Sequence, residues 1–345
     1  MTASDDPRRR EVLDRRIRGF HGVGVDDVLA VVDYLCEPGD TVLAGGSLTF
    51  GLGNRLSDFD VVICGDDTAR SLVPLQHWVQ TLRVDVWTRP RADIDTLFGL
   101  AAQALARPEP IAGAFGSIEQ EQQLKLLHRV AFGLCLSGPP LVPATVPDFR
   151  AVARDLVARE YAERLRESLW VAQLAARAGR WLTAVVNARE AVEEAFTIVL
   201  TRRGVPFTGD KWLHDRLREH APDLGEACRR YAALPTAADE CAAYVADAVA
   251  LAGRLTGVPT GVAELGRQAR WTAPDLHLTS AGDTALLVSP RMGVLCELSD
   301  VEAKAWRALA GRAEAGAYDA AETDLCLRLY EQGLLTLGWA TGVGA

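Results

Sequence analysis

GGSLTFGLGNRLSDFDVVI, from Gly45 to Ile63, contains the strongest structural pattern in this chain of 345 residues. It places a glycine pair and a serine ahead of a loop, and then two aspartates, Asp58 and Asp60, at the start of an apolar strand. Residues i and i+2 of a strand point to the same face, so the two carboxylates are predicted to project together. Two carboxylates at that spacing repel each other, and a cation bound between them removes the repulsion. Mg²⁺ is the expected cation because it prefers hard oxygen ligands.

The segments around this stretch extend it into a small α/β unit. The predicted elements, in chain order, are a helix over Asp26–Cys36, a strand over Thr41–Ala44, a short helix within Leu48–Leu56, a strand over Asp58–Cys64, a helix over Thr68–Val79 and a strand over Leu82–Thr88. Asp85 falls in the middle of the third strand, where an acid is costly without a partner. If that strand lies beside the second, Asp85 joins Asp58 and Asp60. The alternatives are a buried arginine partner for Asp85 and a solvated strand edge for the D-F-D triplet.

Gly45, Gly46 and Ser47 are the candidate phosphate-binding residues. Glycines let the backbone come close to a phosphate, and the helix that follows presents free N–H groups to an anion. One segment would then cradle a triphosphate while the next holds the metal ions. Phosphoryl transfer depends mainly on such positioning and charge neutralisation. An ordinary turn is the plainer interpretation of G-G-S.

Residues Gly45 to Ile63 resemble the GS…D-x-D signature of the DNA polymerase β-like nucleotidyltransferase superfamily. The resemblance implies that Gly46 and Ser47 hold the β- and γ-phosphates of an NTP and that Asp58 and Asp60 bind two Mg²⁺ ions. It also implies that Asp85 binds the second metal ion or helps to deprotonate the acceptor. ATP is the expected NTP, although no run of residues identifies the base.

The segment that follows a proline-rich linker is predicted to be a helical bundle. Its part from Arg180 to Leu217 resembles the helical domains of antibiotic nucleotidyltransferases and of nucleotidyltransferase–HEPN arrangements, which implies that it completes the acceptor site. Glu190 and Glu194 share a helical face, and Glu190 is a candidate general base. Lys211 is a candidate phosphate ligand. A solvated helix face and a surface lysine are the plainer interpretations.

Two further features of the helical segment bear on function. Arg216 and His220 fall just short of the R-x4-6-H motif of HEPN ribonucleases, so RNase activity is disfavoured. Trp170 and Trp181 are expected to pack in the core of the bundle rather than to stack on a base.

The C-terminal segment is predicted to form a third, small unit. Its elements are strands over Thr284–Val288 and Val294–Leu298 and helices near Ser299–Leu309 and Ala320–Gln332. This order resembles the PqqD-like fold of winged-helix type, which implies a leader peptide added as a strand to the hairpin edge. A structural or dimerising appendix and a DNA-binding winged helix are the alternatives. The acidic stretch Glu314–Asp324, which lacks Lys and Arg, disfavours DNA.

Composition limits the remaining possibilities. The net charge of −9 and the pI near 5.3 disfavour nucleic acid as the main partner, because such proteins usually carry a basic surface. Seven scattered cysteines without a C-x-x-C pair disfavour disulfides and a zinc site. The N-terminus has no apolar signal region, and no apolar run is long enough to span a membrane, so a cytoplasmic protein is expected.

The sequence therefore predicts an α+β chain of three parts. They are a polymerase β-like nucleotidyltransferase domain over 1–145, a helical bundle over 146–258 and a PqqD-like winged-helix domain over 275–345. The expected activity is Mg²⁺-dependent transfer of an NMP group from an NTP to an acceptor hydroxyl, with release of pyrophosphate. The acceptor is a small molecule, such as an aminoglycoside-like antibiotic, or a peptide held by the C-terminal unit. The sequence is compatible with a homodimer, and a non-catalytic nucleotide-binding or antitoxin-type regulatory protein is the alternative from another class.

Overall fold

The computed structural model describes residues 7–67, 69, 73–106, 118–141, 149–205, 210–262, 265–266, 269–272, 276–289, 293–310 and 318–339. The helices are α1 (Pro7–His21), α2 (Val25–Val32), α3 (Gly46–Thr49), α4 (Arg91–Ala106), α5 (Ile118–Phe132), α6 (Phe149–Arg177), α7 (Trp181–Arg202), α8 (Leu213–His220), α9 (Gly225–Ala232), α10 (Ala238–Thr256), α11 (Asp300–Ala310) and α12 (Ala320–Glu331). The strands are β1 (Thr41–Gly45), β2 (Phe59–Gly65), β3 (Leu75–Val79), β4 (Leu82–Pro90), β5 (Leu134–Ser137), β6 (Ala269–Thr272), β7 (His277–Ala281), β8 (Thr284–Ser289), β9 (Gly293–Leu298) and β10 (Thr336–Trp339). The protein is thus of mixed α+β class, as predicted.

The chain divides into two compact units. The first takes Met1–Pro108, Ala114–Arg159 and Leu200–Gly225, and the second includes Glu160–Val199 and Glu226–Ala345. The division cuts through the predicted helical bundle, whose boundaries remain a prediction. Within the described part of the chain, no helix has the length and apolar character needed to cross a membrane.

The first unit is built around a five-stranded sheet with the order β3-β4-β2-β1-β5. The strands β2 and β4 run parallel, while the other neighbouring pairs are antiparallel. The three strands predicted for this part of the chain are confirmed. The second and third of them are also neighbours in the sheet, which is the condition for bringing Asp85 beside Asp60.

The two faces of this sheet have different characters. Phe59, Val61 and Ile63 alternate along β2 and pack in one apolar cluster with buried side chains of α1 and α2. Because successive strand residues point to opposite faces, Asp60 projects from the other face. Apolar packing therefore anchors the sheet from one side and leaves the carboxylates on the other.

The helix predicted over Thr68–Val79 is wrong in its second half. Residues Leu75–Val79 form β3, which pairs with β4 from Leu75 opposite Val86 to Val79 opposite Leu82. The turn between these strands is Gln80-Thr81, and Gln80 has a φ of 54°. Tight hairpin turns with positive φ usually contain glycine or asparagine, so this one has no recognisable sequence signal. The short helix expected within Leu48–Leu56 is a single turn, α3, which begins two residues earlier, at Gly46.

The second unit contains the C-terminal strands and helices. The predicted hairpin is confirmed as β8 and β9, and β7 adds a third antiparallel strand. The two predicted helices are confirmed as α11 and α12, which pack with this sheet around Leu287, Leu325 and Leu329. A separate two-stranded sheet joins β6 to β10.

The C-terminal segment shares its packing with the helices of the second unit. Trp170 is buried as predicted, at 1% exposure, and its ring lies 5.4 Å from that of Trp271 and 5.9 Å from that of Tyr318. Arg180 forms ion pairs with Asp324 at 2.7 Å and Glu331 at 2.6 Å. Trp181, also expected in the core, is only half-buried.

Candidate active site

Three aspartates meet on one face of the sheet in the first unit. Asp60 on β2 lies in register with Asp85 on β4, and Gly45 at the end of β1 lies opposite Asp60 on the other side. Asp58 precedes β2 by one residue and shares the face of Asp60 by the alternation of strand side chains. The strand pairing therefore brings together the three acids that the sequence singled out.

Arg83 lies among these acids and was not singled out from the sequence. Its Nη2 donates a hydrogen bond of 2.5 Å to Asp58 Oδ2, and its Nε lies 3.3 Å from Asp85 Oδ1. Arg83 stands two residues before Asp85 on the same strand, so the i, i+2 rule that paired the aspartates would also have found it.

Arg129 is the second cation at the site. Its Nη2 donates a hydrogen bond of 3.1 Å to Asp60 Oδ1, and its guanidinium lies 5.1 Å from the centre of the Trp87 ring. The aromatic face adds a favourable cation–π contact. Arg129 belongs to α5 and is 69 residues from Asp60 along the chain, so no local sequence pattern signals the contact.

The glycine pair makes room for this arrangement. Gly46 has a φ of +72°, and a Cβ there would lie 2.0 Å from Asp60 Oδ2. At Gly45 a Cβ would lie 3.3 Å from Cγ of Arg129. Both glycines therefore have a structural role that the sequence did not reveal, because each lets the backbone pass closely beside a charged side chain of the site.

The electrostatic environment disfavours charge on two of the acids. Burial raises the pKa of Asp60, with Arg129 opposing the shift and the neighbouring carboxylates adding to it. Burial also raises the pKa of Asp85, with Arg83 opposing the shift and Asp58 adding to it. Carboxyls with raised pKa values gathered at one place are typical of functional sites.

The carboxylates fit a divalent metal ion in their chemistry. They are hard oxygen donors on one face of adjacent strands, and Asp85 Oδ1 is buried without a hydrogen bond. The Arg83 guanidinium already lies between Asp58 and Asp85, where a cation offsets the repulsion of the two carboxylates. Among the described residues, however, no group of three or more His, Cys, Asp and Glu side chains is gathered closely enough to hold a metal ion.

The other predicted site residues lie in different surroundings. Ser47 is buried in α3, and its carbonyl accepts hydrogen bonds from the N–H groups of Leu52 and Gly53. Lys211 is exposed, with its Nζ 5.7 Å from the centre of the Trp212 ring. The described contacts do not join Lys211 to the aspartates. Its role and that of Ser47 in holding phosphate remain predictions.

Glu190 lies on α7 in the second unit, where its side chain is exposed. Glu167 and Glu194 are near it, and burial raises the pKa of both, with the charge of Glu190 adding to each shift. The expectation that Glu190 acts as a general base remains a prediction.

His128 in the first unit gives a pH-dependent contribution to stability. Its ring lies 5.9 Å from that of Phe50 and 5.0 Å from that of Phe132. Burial, assisted by the charges of Arg129 and Arg216, lowers the pKa of His128 to about 3. The unfolded chain binds a proton here below about pH 6.5 while the folded protein does not, so stability falls as pH falls through this window. We expect His128 to account for up to ~1.4 kcal/mol of lost stability per pH unit.

Urea unfolding between about pH 7 and about pH 4 tests this expectation. His128→Phe keeps an aromatic ring between the two phenylalanines and removes the titrating group. The free energy of unfolding of the variant should decline less steeply than that of the wild type as the solution is acidified. Equal slopes for the two proteins would contradict the expectation.

No family model matches this chain, and no curated protein sequence matches it. Among solved structures, the chain is similar to that of a nucleotidyltransferase-like protein from Exiguobacterium sibiricum 255-15. The two are 12% identical, with a TM-score of 0.32 over 74% of this chain and 80% of the other. A TM-score of this size is too small to assign a fold family.

Proposed function

We propose that the protein is a Mg²⁺-dependent nucleotidyltransferase that moves an NMP group from an NTP, with ATP favoured, onto an acceptor hydroxyl. The observation that carries the proposal is the register of Asp60 with Asp85, with Asp58 on the same face and Gly46 against Asp60. The proposal is supported by these three acids sharing one face of the sheet with the backbone of Gly46 beside them.

In the proposed reaction, the acceptor oxygen attacks the α-phosphorus of the NTP. The bond between the α-phosphorus and the bridging oxygen of the β-phosphate breaks, and pyrophosphate leaves with that oxygen. Bound Mg²⁺ supplies charge neutralisation at the phosphates. Asp58, Asp60 and Asp85 would hold the two ions, and Gly45, Gly46 and Ser47 would lie along the triphosphate. The acceptor proton goes to a carboxylate, for which Asp85 is the candidate in this unit.

Two classes of acceptor are compatible with the proposal. A small aminoglycoside-like molecule suits the acidic net charge of −9, because amino groups are cationic. A peptide suits the C-terminal segment, where β7 is an edge strand of the three-stranded sheet with mostly exposed side chains. An edge strand offers unpaired backbone groups to an added strand.

Pyrophosphate release tests the proposal directly. The full-length protein would be assayed with each of the four NTPs and Mg²⁺, across a panel of aminoglycoside-like compounds and candidate peptides. We expect pyrophosphate release that occurs with one of the two acceptor classes and depends on Mg²⁺. It should stop when the ion is chelated. Absence of nucleotide binding would contradict the proposal.

A non-catalytic nucleotide-binding or antitoxin-type regulatory protein is the second candidate. The observation that favours it is the pairing of all three aspartates with arginines, because a regulatory site has no need to free them for metal. Nucleotide binding without transfer to any acceptor of the panel would support this candidate.

A further inference from the structure

Arg83 bridges two of the three proposed metal ligands. β2 and β4 pair in parallel from Phe59 opposite Val84, so Asp58 and Arg83 stand side by side just before that pair. The guanidinium hydrogen-bonds to Asp58 at 2.5 Å and lies 3.3 Å from Asp85. One positive charge thus partly neutralises two acids that the proposed function requires for metal binding.

We propose that Arg83 is a resident counter-cation that competes with the divalent metal ion for Asp58 and Asp85. The inference rests on the proposed function, because it assumes that these carboxylates are metal ligands. When the metal ion binds with nucleotide, the guanidinium leaves the carboxylates. When the metal ion departs, Arg83 returns and relieves the repulsion between the acids.

Competition follows from charge and distance. An arginine stays protonated at all ordinary pH values, so it gives way to another cation only by moving. A guanidinium and a dication held by the same two carboxylates would lie within about 4 Å of each other and would repel strongly in a partly buried site. The Arg83 side chain is 41% exposed and has a flexible stem, so a path into solvent is open to it.

Arg129 differs from Arg83 in its contacts and in its exposure. Among the described residues, the acid that it contacts is Asp60. Its side chain is 22% exposed, and its guanidinium lies against the Trp87 ring. These contacts hold Arg129 in place, so the competing role falls to Arg83.

Binding of Mn²⁺ to the full-length protein, followed by the electron paramagnetic resonance signal of free Mn²⁺, tests the inference without measuring activity. Mn²⁺ accepts the same oxygen ligands as Mg²⁺. We expect Arg83→Gln to bind Mn²⁺ about tenfold more tightly than the wild type, because the metal no longer displaces a charge-assisted hydrogen bond. Arg203→Gln is the matched control, because it removes the same charge from an exposed pair with Asp223 in the same unit.

Thermal unfolding provides a second readout. Metal-free Arg83→Gln should melt at a lower temperature than the metal-free wild type, because less of the negative charge of the three acids is neutralised. Mn²⁺ should then raise the melting temperature of Arg83→Gln by more than it raises that of the wild type. Arg83→Lys keeps the positive charge but lacks the planar guanidinium that can bond to two carboxylates. Its Mn²⁺ affinity should therefore lie between those of the wild type and Arg83→Gln. This variant keeps the test informative if the glutamine variant folds poorly.

The failures of the inference and of the proposed function are distinguishable. If the wild type binds Mn²⁺ and Arg83→Gln binds it equally or more weakly, the inference is overturned and metal binding stands. A tightening of the same size in Arg203→Gln would also overturn it, because the effect would then be one of net charge. If neither the wild type nor Arg83→Gln binds Mn²⁺, in the presence or absence of ATP, the metal-dependent function is overturned together with the inference.

Discussion

Asp60→Asn is expected to lower the rate of pyrophosphate release by about 10³-fold or more while leaving the protein folded. Asp60 lies between Gly45 and Asp85 in the sheet, at the centre of the proposed site. The substitution keeps the size of the side chain but replaces an anionic oxygen with a neutral amide. A metal ion at a transferring phosphoryl group stabilises the transition state by several kcal/mol, and each ~1.4 kcal/mol corresponds to a factor of ten in rate.

The matched control is Asp66→Asn. Asp66 follows the end of β2, its side chain is 84% exposed, and it faces Arg91 at 3.7 Å instead of the other acids. Both variants change the net charge equally, so a difference in rate between them shows that the effect depends on where the carboxylate lies. Equal rates for wild type and Asp60→Asn would remove Asp60 from the catalytic machinery.

Gly46→Ala is expected to reduce activity by about 100-fold and to destabilise the protein. A residue with a side chain costs roughly 1 kcal/mol in the left-handed conformation that Gly46 adopts. Its Cβ would also lie 2.0 Å from Asp60 Oδ2, so the carboxylate has to move. Displacement of a catalytic group by about 1 Å is enough for a rate loss of this size.

Gly51→Ala separates the conformational cost from the collision. Gly51 has a φ of +78°, and the nearest atom to an added Cβ is Arg16 Nη1 at 3.6 Å, an ordinary contact. The free energy of unfolding of Gly51→Ala, measured in urea, should fall by about 1 kcal/mol, with little change in the rate of pyrophosphate release. If the two alanine variants had equal activities, the close approach of Gly46 to Asp60 would have no functional consequence.

Local patterns were enough to predict three strands of the first sheet, β1, β2 and β4, but not β3 or β5. Alternation of acids and apolar residues identified β2 and β4, and the position of Asp85 required only that these strands be neighbours. The strand β3 was missed because its turn, Gln80-Thr81, lacks the residues that usually mark a hairpin.

The cations of the site were harder to predict than the acids. Arg83 was within reach of a sequence argument, because it shares a strand face with Asp85. Arg129 was not, because its contact with Asp60 depends on how a helix 69 residues away packs on the sheet. The close passage of Gly45 beside Arg129 was hidden for the same reason. Contacts of this kind are set by tertiary packing and leave no periodicity in the sequence.

The packing of Trp170 against Trp271, together with the ion pairs of Arg180, has a consequence for how this protein can diversify. A C-terminal segment taken from a relative would dock here only if it brought an aromatic ring for Trp170 and acids for Arg180. Recombination of whole segments is therefore expected to yield mostly defective chimeras. Single substitutions at the exposed positions of β7 leave these packing contacts unchanged and are therefore expected to be tolerated more readily.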